Sequence, residues 1–209
     1  MKPVVCRFAA EPPQEDLPTG EWADRLRADF LAACLRIDGD PDEIGAAGEL
    51  VFHPDRGWAG RTYVPITART DTGMELYGHV SFVPGDSGDD SEPSDFEAWA
   101  DYADETADEH PEWQLDLNAD VVGGWRGEHG EVAAMTLVWG RRILPRGDRV
   151  TAELGDVTVD ACPVVDERFT LLAPDVYGGD YLEVALRDGD SSGELARESL
   201  YEDGAGDEG

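Results

Sequence analysis

Lysine is almost absent from this chain: Lys2 is the only one, and the other fifteen basic residues are arginines. These bases are outnumbered by 47 acidic residues, which leaves a formal net charge of −31. A surface of this charge repels nucleic-acid phosphates and anionic lipid headgroups, so the sequence disfavours both as partners. Basic proteins, cations and cationic ligands are compatible with it.

Cysteine is scarce, and long apolar runs are missing. Cys6, Cys34 and Cys162 are odd in number, widely spaced and without a C-x-x-C pair. We therefore expect free thiols, with no disulfide between any two of them, in a cytoplasmic protein. No stretch reaches 18 apolar residues, and the N-terminal segment has no adequate apolar core. We expect neither a transmembrane helix nor a signal peptide.

Apolar residues are nevertheless frequent enough for a folded protein of 209 residues. They make up 41% of the chain and include six Trp, six Tyr and six Phe. This composition excludes a largely disordered chain. Only the tail over 202–209, which is rich in Gly and acid, is predicted to be disordered.

The densest apolar stretch runs from Glu131 to Leu144 and predicts the central strand of the protein. Val132 and Val138 occupy even positions, which would face one side of a strand, and Leu137 and Trp139 occupy odd positions, which would face the other. A strand covered on both faces has this pattern.

Eight short strand candidates follow Pro111 and predict a β-sandwich over 112–201. They are Trp113–Leu117, Val121–Arg126, Val132–Arg141, Arg149–Leu154, Val157–Cys162, Arg168–Ala173, Tyr181–Arg187 and Glu194–Tyr201. Between Val157 and Tyr201, VTVDACPVVDERFTLLAP and YLEVALRDGDSSGELA resemble the immunoglobulin-like sandwich modules of bacterial proteins. The resemblance implies a fold for this portion and brings no functional motif with it.

The first 111 residues predict an α+β portion. Apolar residues such as Leu26 and Phe30 recur at spacings of three and four, which predicts a helix over Gly20–Ile37. Asp40-Pro41 predicts a further short helical turn. The strand candidates of this portion are Val4–Phe8, Glu49–His53, Arg61–Ala68 and Met74–Val83, with a hairpin turn at Thr70-Asp71-Thr72-Gly73. The complete fold prediction is an α+β protein in which helices and an antiparallel sheet precede an immunoglobulin-like sandwich.

A second long helix is predicted over 94–109. Ser94-Asp95-Phe96-Glu97 matches a capping box, in which the Ser and Glu side chains satisfy each other's backbone amides. Apolar residues then recur on one helical face, while Asp101, Asp104, Glu105 and Asp108 lie largely away from it.

This helix lies at the centre of the strongest electrostatic feature. The 56 residues between Arg69 and Arg126 contain sixteen Asp or Glu and no Lys or Arg. One interpretation is a docking face for a basic protein partner, formed by the four carboxylates named above. The alternative is a solvated face in a chain that is acidic because of genome composition or salt adaptation.

Two acidic stretches have part of a calcium-loop pattern. Each places oxygen ligands at positions 1, 3 and 5, but the first lacks the glycine at position 6 and the second lacks the carboxylate at position 12. The candidate metal ligands are Asp38, Asp40, Asp42 and Glu49 in the first stretch, and Asp188, Asp190 and Ser192 in the second.

The segment from His53 to Trp58 is predicted to be a polar and aromatic loop between strands. A histidine with a carboxylate nearby can transfer protons, so His53 and Asp55 are the catalytic candidates. Trp58, Trp113 and Trp125 lie near predicted loops and are the candidates for contact with a ligand.

The sequence favours a non-enzymatic, acidic interaction protein, such as an inhibitor, immunity-type or adaptor protein for a basic partner, with no cofactor. The alternatives are a hydrolase that uses the His53 loop and a calcium-stabilised structural module. An enzyme requires a pocket with converging titratable groups, whereas an adaptor requires an open acidic face.

Overall fold

The structure, a computed structural model, describes residues 17–85, 92–127, 130, 132–176, 180–189 and 193–201. These residues form two compact units, 17–113 and 114–201. Both consist mainly of antiparallel β-sheet, and helices are few. The prediction of a β-rich protein is confirmed at this level. The predicted disordered tail and the predicted strand at Val4–Phe8 lie outside the described residues.

Two helices precede the strands of the first unit. α1 (Gly20–Cys34) begins after Thr19, and α2 (Pro41–Ile44) begins after Asp40. The Asp40 carboxylate accepts a hydrogen bond from the Asp42 amide at 3.0 Å, as an N-cap residue does. Both predicted helical segments are confirmed, although α1 ends before Ile37.

One antiparallel sheet completes the first unit. Its described strands are β1 (Ala47–Phe52), β2 (Arg56–Trp58), β3 (Arg61–Thr70), β4 (Glu75–Val83) and β5 (Ser94–Ala103). They run in the order β1-β3-β4-β5, and β2 also pairs with β3. The predicted hairpin between β3 and β4 is confirmed, since the Gly73 amide donates to the Thr70 carbonyl at 3.2 Å.

The core of the first unit lies between α1 and one face of this sheet. Leu26 and Phe30 of α1 are fully buried, as their spacing along the helix predicts. They share a cluster with Ile66 of β3 and Val80 of β4. Apolar contact of this kind fixes the helix against β4 and β5, and thereby positions the end of α1 next to the last strand.

The predicted helix over 94–109 is wrong, because residues 94–103 form strand β5. Tyr77 pairs with Asp101, and Ser94 pairs with Val83 instead of capping a helix. An alternation with a period of two exists beside the helical pattern. Its apolar members pack against the core of the first unit: Phe96, Ala98, Ala100 and Tyr102. Hydrogen bonds to β4 and burial under α1 together override the local capping signal.

The second unit contains seven described strands in two antiparallel sheets. They are β6 (Leu115–Arg126), β7 (Val132–Arg142), β8 (Arg149–Leu154), β9 (Val157–Pro163), β10 (Arg168–Asp175), β11 (Leu182–Arg187) and β12 (Glu194–Ser199). One sheet has the order β10-β7-β6 and the other β12-β11-β8-β9. Buried residues of both sheets form one hydrophobic cluster, which includes Val138, Phe169, Val150 and Leu186.

β7 is the central strand of its sheet, as its apolar pattern predicts. It pairs with β10 on one side and β6 on the other, and Trp139 is 0% exposed. The two strands predicted at Trp113–Leu117 and Val121–Arg126 are one continuous strand, β6. The gap between the two predictions contains Asn118 and Asp120, yet both pair regularly with β7, opposite Trp139 and Leu137; the register shifts only further on, between Val121 and Gly123.

Within the part of the chain that the structure describes, no helix has the length and apolar character needed to cross a membrane.

Candidate interaction surface

An acidic surface of the first unit extends along its last described strand and the segment that follows it. We call residues 92–113 the acidic edge segment; it contains nine Asp or Glu and no Lys or Arg. Its first half is β5, which among the described residues pairs only with β4 and therefore ends the sheet. The side chains of Asp95 and Glu97 are 65% and 70% exposed. Carboxylates on this strand are thus accessible to a partner.

The backbone of β5 alternates between its neighbour and its open side. A Cβ atom placed on Gly78 of β4 would lie 2.1 Å from the Trp99 carbonyl oxygen, so that carbonyl faces β4. The Ala98 carbonyl instead accepts from the Arg36 side chain, and the Tyr102 amide donates to the Asp101 carboxylate at 2.9 Å. Ala98, Ala100 and Tyr102 therefore direct their backbone groups away from β4.

Arg36 covers part of this open side. Its Nη2 donates to the Ala98 carbonyl at 3.0 Å, and its Nη1 donates to the Ala32 carbonyl at 3.0 Å. A groove of about 460 Å³ lies at the same place, lined by residues 33 and 36–38 beside α1 and by residues 98–101 of β5. The end of the helix and the edge of the sheet thus form the two walls of one groove.

Two arginines from outside the acidic edge segment form ion pairs with it. Arg61 of β3 lies 2.6 Å from Asp95 and 3.2 Å from Glu97, and Arg69 lies 3.5 Å from Asp108. In the sequence this segment contains no Lys or Arg. In the folded protein, antiparallel pairing of the sheet brings Arg61 and Arg69 of β3 close to its carboxylates. Because nine carboxylates are present, the segment keeps a large excess of negative charge.

The four predicted partner-binding carboxylates lie within this segment but not on a helix. Asp101 is half-buried near the end of β5, and its carboxylate is engaged by the Tyr102 amide. Asp104, Glu105 and Asp108 follow the strand and are exposed. The structure therefore places them along the continuation of a sheet edge instead of one helical face.

Beyond the strand, two rings stack in the same segment. The rings of His110 and Trp113 are 4.5 Å apart and nearly parallel, and His110 Nδ1 lies 3.0 Å from Glu112. A backbone hydrogen bond and the contact with His110 lower the pKa of the Glu112 carboxyl below its usual range. Trp113, predicted to contact a ligand, is half-buried in this stack.

The catalytic candidates do not lie in an exposed loop. His53 is 2% exposed, and its Nε2 lies 3.2 Å from the Thr67 hydroxyl of β3. Asp55 is partly buried just before β2. Neither residue lines the groove at Arg36 or the apolar cleft described below.

The other two predicted ligand-contacting tryptophans are parts of strands. Trp58 ends β2, where it pairs with Arg61. Trp125 lies on β6 and packs against the hydrophobic cluster of the second unit. Trp58 belongs to a short strand that the sequence did not predict, whereas Trp125 lies in the predicted strand Val121–Arg126, next to its end.

The first predicted calcium loop has other tasks in the fold. Asp40 caps α2, whereas Glu49 lies on strand β1. In the described parts of the chain, no group of three or more His, Cys, Asp or Glu is arranged to hold a metal ion. Of the second set, Asp188 follows β11, whereas Asp190 and Ser192 lie outside the described residues.

An apolar cleft of about 560 Å³ lies on the far side of α1, between the helix and the segment that contains α2. Leu31 and Leu35 line it and are 41% and 89% exposed. Cys34 also lines it, and burial raises the pKa of its thiol to about 11. At neutral pH this cysteine is protonated and a poor nucleophile. Cys34 and Cys162 are both free, as predicted, and Cys6 lies outside the described residues.

A charged network on the second unit was hardly indicated by the sequence. Glu153 of β8 is 6% exposed and accepts hydrogen bonds from Arg187, Arg197 and Thr151. Arg197 also bonds to Glu183 at 2.7 Å and to Glu194 at 2.6 Å. Burial opposes ionisation of Glu153, yet these hydrogen bonds outweigh it and hold the pKa of this carboxyl below its usual range. The arginine donors are used internally, which indicates a structural role.

Comparisons with known protein families, with curated proteins and with solved structures give no match for this chain.

Proposed function

We propose that this chain is a non-enzymatic interaction protein that binds a basic protein partner through the acidic edge segment. The observation that carries the proposal is the exposed row of carboxylates beside the open edge of β5. Arg61 and Arg69 offset only part of that charge. The carboxylates of these pairs are largely exposed, 65% for Asp95 and 74% for Asp108, so solvent screening limits what the pairs contribute to stability. Complementary charge chiefly speeds association and selects the partner.

The test compares two sets of charge removals of equal size. The first replaces Asp101, Asp104, Glu105 and Asp108 by Asn or Gln. The matched control neutralises four exposed carboxylates elsewhere: Glu21, Glu43, Glu49 and Asp156. Proteins captured from native lysate at low salt are compared, and the affinity of each captured basic protein is then measured for both variants. The first variant should lose them, and the control should retain them.

Salt provides a second measurement on the same variants. Repulsion among the carboxylates is screened over about 10 Å at 0.1 M salt, so added salt should raise the melting temperature of the isolated protein. The same salt should weaken its complex with a basic partner. The first variant should melt higher than the native chain in low salt. Equal partner affinity in the two variants would show that the segment is only a solvated face.

At the level of the fold, we propose an α+β first unit and an immunoglobulin-like sandwich for the second. Two features support the sandwich: seven described antiparallel strands divide into two sheets, and one hydrophobic cluster includes residues from both. The first unit combines a helix with an antiparallel sheet around its own core. We also propose a cytoplasmic location, which the free thiols of Cys34 and Cys162 support.

The hydrolase alternative has less support. His53 is buried and bonded to Thr67. It lines neither the groove nor the apolar cleft, so neither cavity brings it together with a second titratable group. The acidic edge segment therefore remains the surface on which function is proposed.

A further inference from the structure

We propose that the partner binds by adding an extended strand to the open edge of β5, and that the added segment alternates basic and small apolar residues. This inference rests on the proposed function and specifies how the partner is held. It depends on the backbone of β5, the groove beside it and the distribution of charge along it.

The backbone of β5 is prepared for another strand. Since the Ala98 carbonyl faces outward, the Ala98 amide and both backbone groups of Ala100 face the same way. Among the described residues, no backbone group outside the sheet bonds to these three groups. An extended peptide can therefore satisfy them with main-chain hydrogen bonds, which supply affinity in strand addition.

Arg36 already shows the kind of contact that the edge accepts. Its guanidinium donates to the Ala98 carbonyl, where the amide of an added strand would donate. Charged side chains often protect sheet edges from unwanted pairing, and this arginine is placed to do so until a partner displaces it. Arg36 also donates to the Ala32 carbonyl of α1. Its side chain can therefore stay along the helix when the added strand takes its place at Ala98.

The two faces of β5 specify the two kinds of side chain in the added strand. Glu97 and Asp101 lie on one face together with Trp99, so neighbouring residues on that face should be basic. On the other face Ala98 and Ala100 are small and meet the groove wall formed by residues 33 and 37. Small apolar side chains fit there. The occupant is thus a basic, extended segment of a protein.

The first experiment uses synthetic peptides and the full-length chain. A peptide of four Arg-Val repeats is titrated beside two controls, one with Gly in place of Val and one with Glu in place of Arg. The Arg-Val peptide should bind most tightly. It should also slow hydrogen exchange at the amides of Ala98 and Ala100, which a purely electrostatic contact at the carboxylates would not do.

The second experiment removes one outward amide. Ala100→Pro deletes an N–H that faces away from β4, and proline is tolerated at such edge positions. Binding of the Arg-Val peptide should weaken about tenfold, which corresponds to the loss of one or two hydrogen bonds. Circular dichroism and melting establish that the variant is folded.

Arg36→Ala provides a test that does not depend on proline. Uncovering the Ala98 carbonyl should strengthen peptide binding severalfold. The matched control is Arg27→Ala, which removes the same charge from α1, where Arg27 pairs with Asp24. If both variants behave alike, the edge is not the binding site.

The outcomes separate this inference from the proposed function. Equal binding of the Val and Gly peptides, unchanged by Ala100→Pro, would overturn strand addition and leave a charged docking face. Absence of binding by either basic peptide at low salt would overturn both. Exchange protection at Ala98 and Ala100, together with loss of affinity in Ala100→Pro, would establish strand addition.

Discussion

Arg197 Nη2 lies 2.6 Å from Oε2 of Glu153, and the glutamate is almost completely buried. Glu153 of β8 also stands directly opposite Glu183 of β11. Like charges at opposite positions of a sheet destabilise it, and Arg197 offsets this by bonding to both carboxylates. The outer strand β12, which supplies Arg197, is thereby joined to the interior of its sheet.

Removal of the Glu153 charge should therefore destabilise the protein in a manner that depends on pH. Glu153→Gln should lower the free energy of unfolding by about 1–3 kcal/mol at pH 7, because Arg187 and Arg197 lose a charged acceptor. The folded pKa of Glu153 is lowered, so its contribution is present above the unfolded value, about 4.3, and is lost as pH falls through the folded pKa. Denaturant unfolding at several pH values measures this difference.

The control for that experiment is Glu167→Gln. Glu167 is 65% exposed and lies 3.8 Å from Arg142, so its removal should have little effect at any pH. A constant difference between Glu153→Gln and the native chain from pH 7 to pH 3 would contradict the proposed linkage.

Tyr201 should titrate late and stabilise the protein through its hydroxyl. It donates to the buried Asp175 carboxylate, and burial together with this hydrogen bond raises the pKa of Tyr201 to about 12. The protonated form is favoured in the folded state, so its contribution is complete below about pH 10 and is lost as pH rises towards 12. Tyr201→Phe should cost about 1 kcal/mol at pH 7.

Absorbance titration of tyrosinate in the folded protein checks this prediction. Tyr201→Phe should remove a phase of the titration near pH 12. Tyr181→Phe is the control, since its ring, 5.0 Å from that of Tyr201, is retained without the hydroxyl. An unchanged titration in Tyr201→Phe would contradict the assignment.

Trp139 should be among the residues that contribute most to stability. It is 0% exposed on the central strand β7, paired with Thr170 of β10 and Asn118 of β6. Trp139→Ala should reduce the free energy of unfolding by about 3–5 kcal/mol, since a large buried side chain is lost. Denaturant midpoints measure the change. A loss below about 1 kcal/mol would mean that the site collapses around the smaller residue or is not tightly packed.

Strand positions in the second unit could be predicted because their pattern is local. The alternation of Leu182, Val184 and Leu186 places three side chains on one face, and all three are buried in the shared cluster. The stripe of α1 is local in the same sense. Boundaries were less accurate, and the polar residues Asn118 and Asp120 made one strand look like two.

The acidic edge segment shows where local pattern is insufficient. Ser94 and Glu97 satisfy a capping motif, and the residues that follow also satisfy an alternation of period two. Only the open edge of β4 and the core beneath α1 favour the strand, and both are remote in sequence. The block of acidic residues can be read from the chain directly, but the helix predicted for it was wrong.

The sequence by itself determined the net charge of −31 and the apolar periodicities of α1 and β7, and it predicted the free thiols of Cys34 and Cys162. These depend on composition or on neighbours within a few residues. Tertiary structure decided that Ser94–Ala103 is a strand, that Arg36 reaches Ala98 across 62 residues, and that Arg197 joins Glu153 across 44. Such pairings are fixed by which strands share an edge and which faces share a core, and no local pattern of residues contains that information.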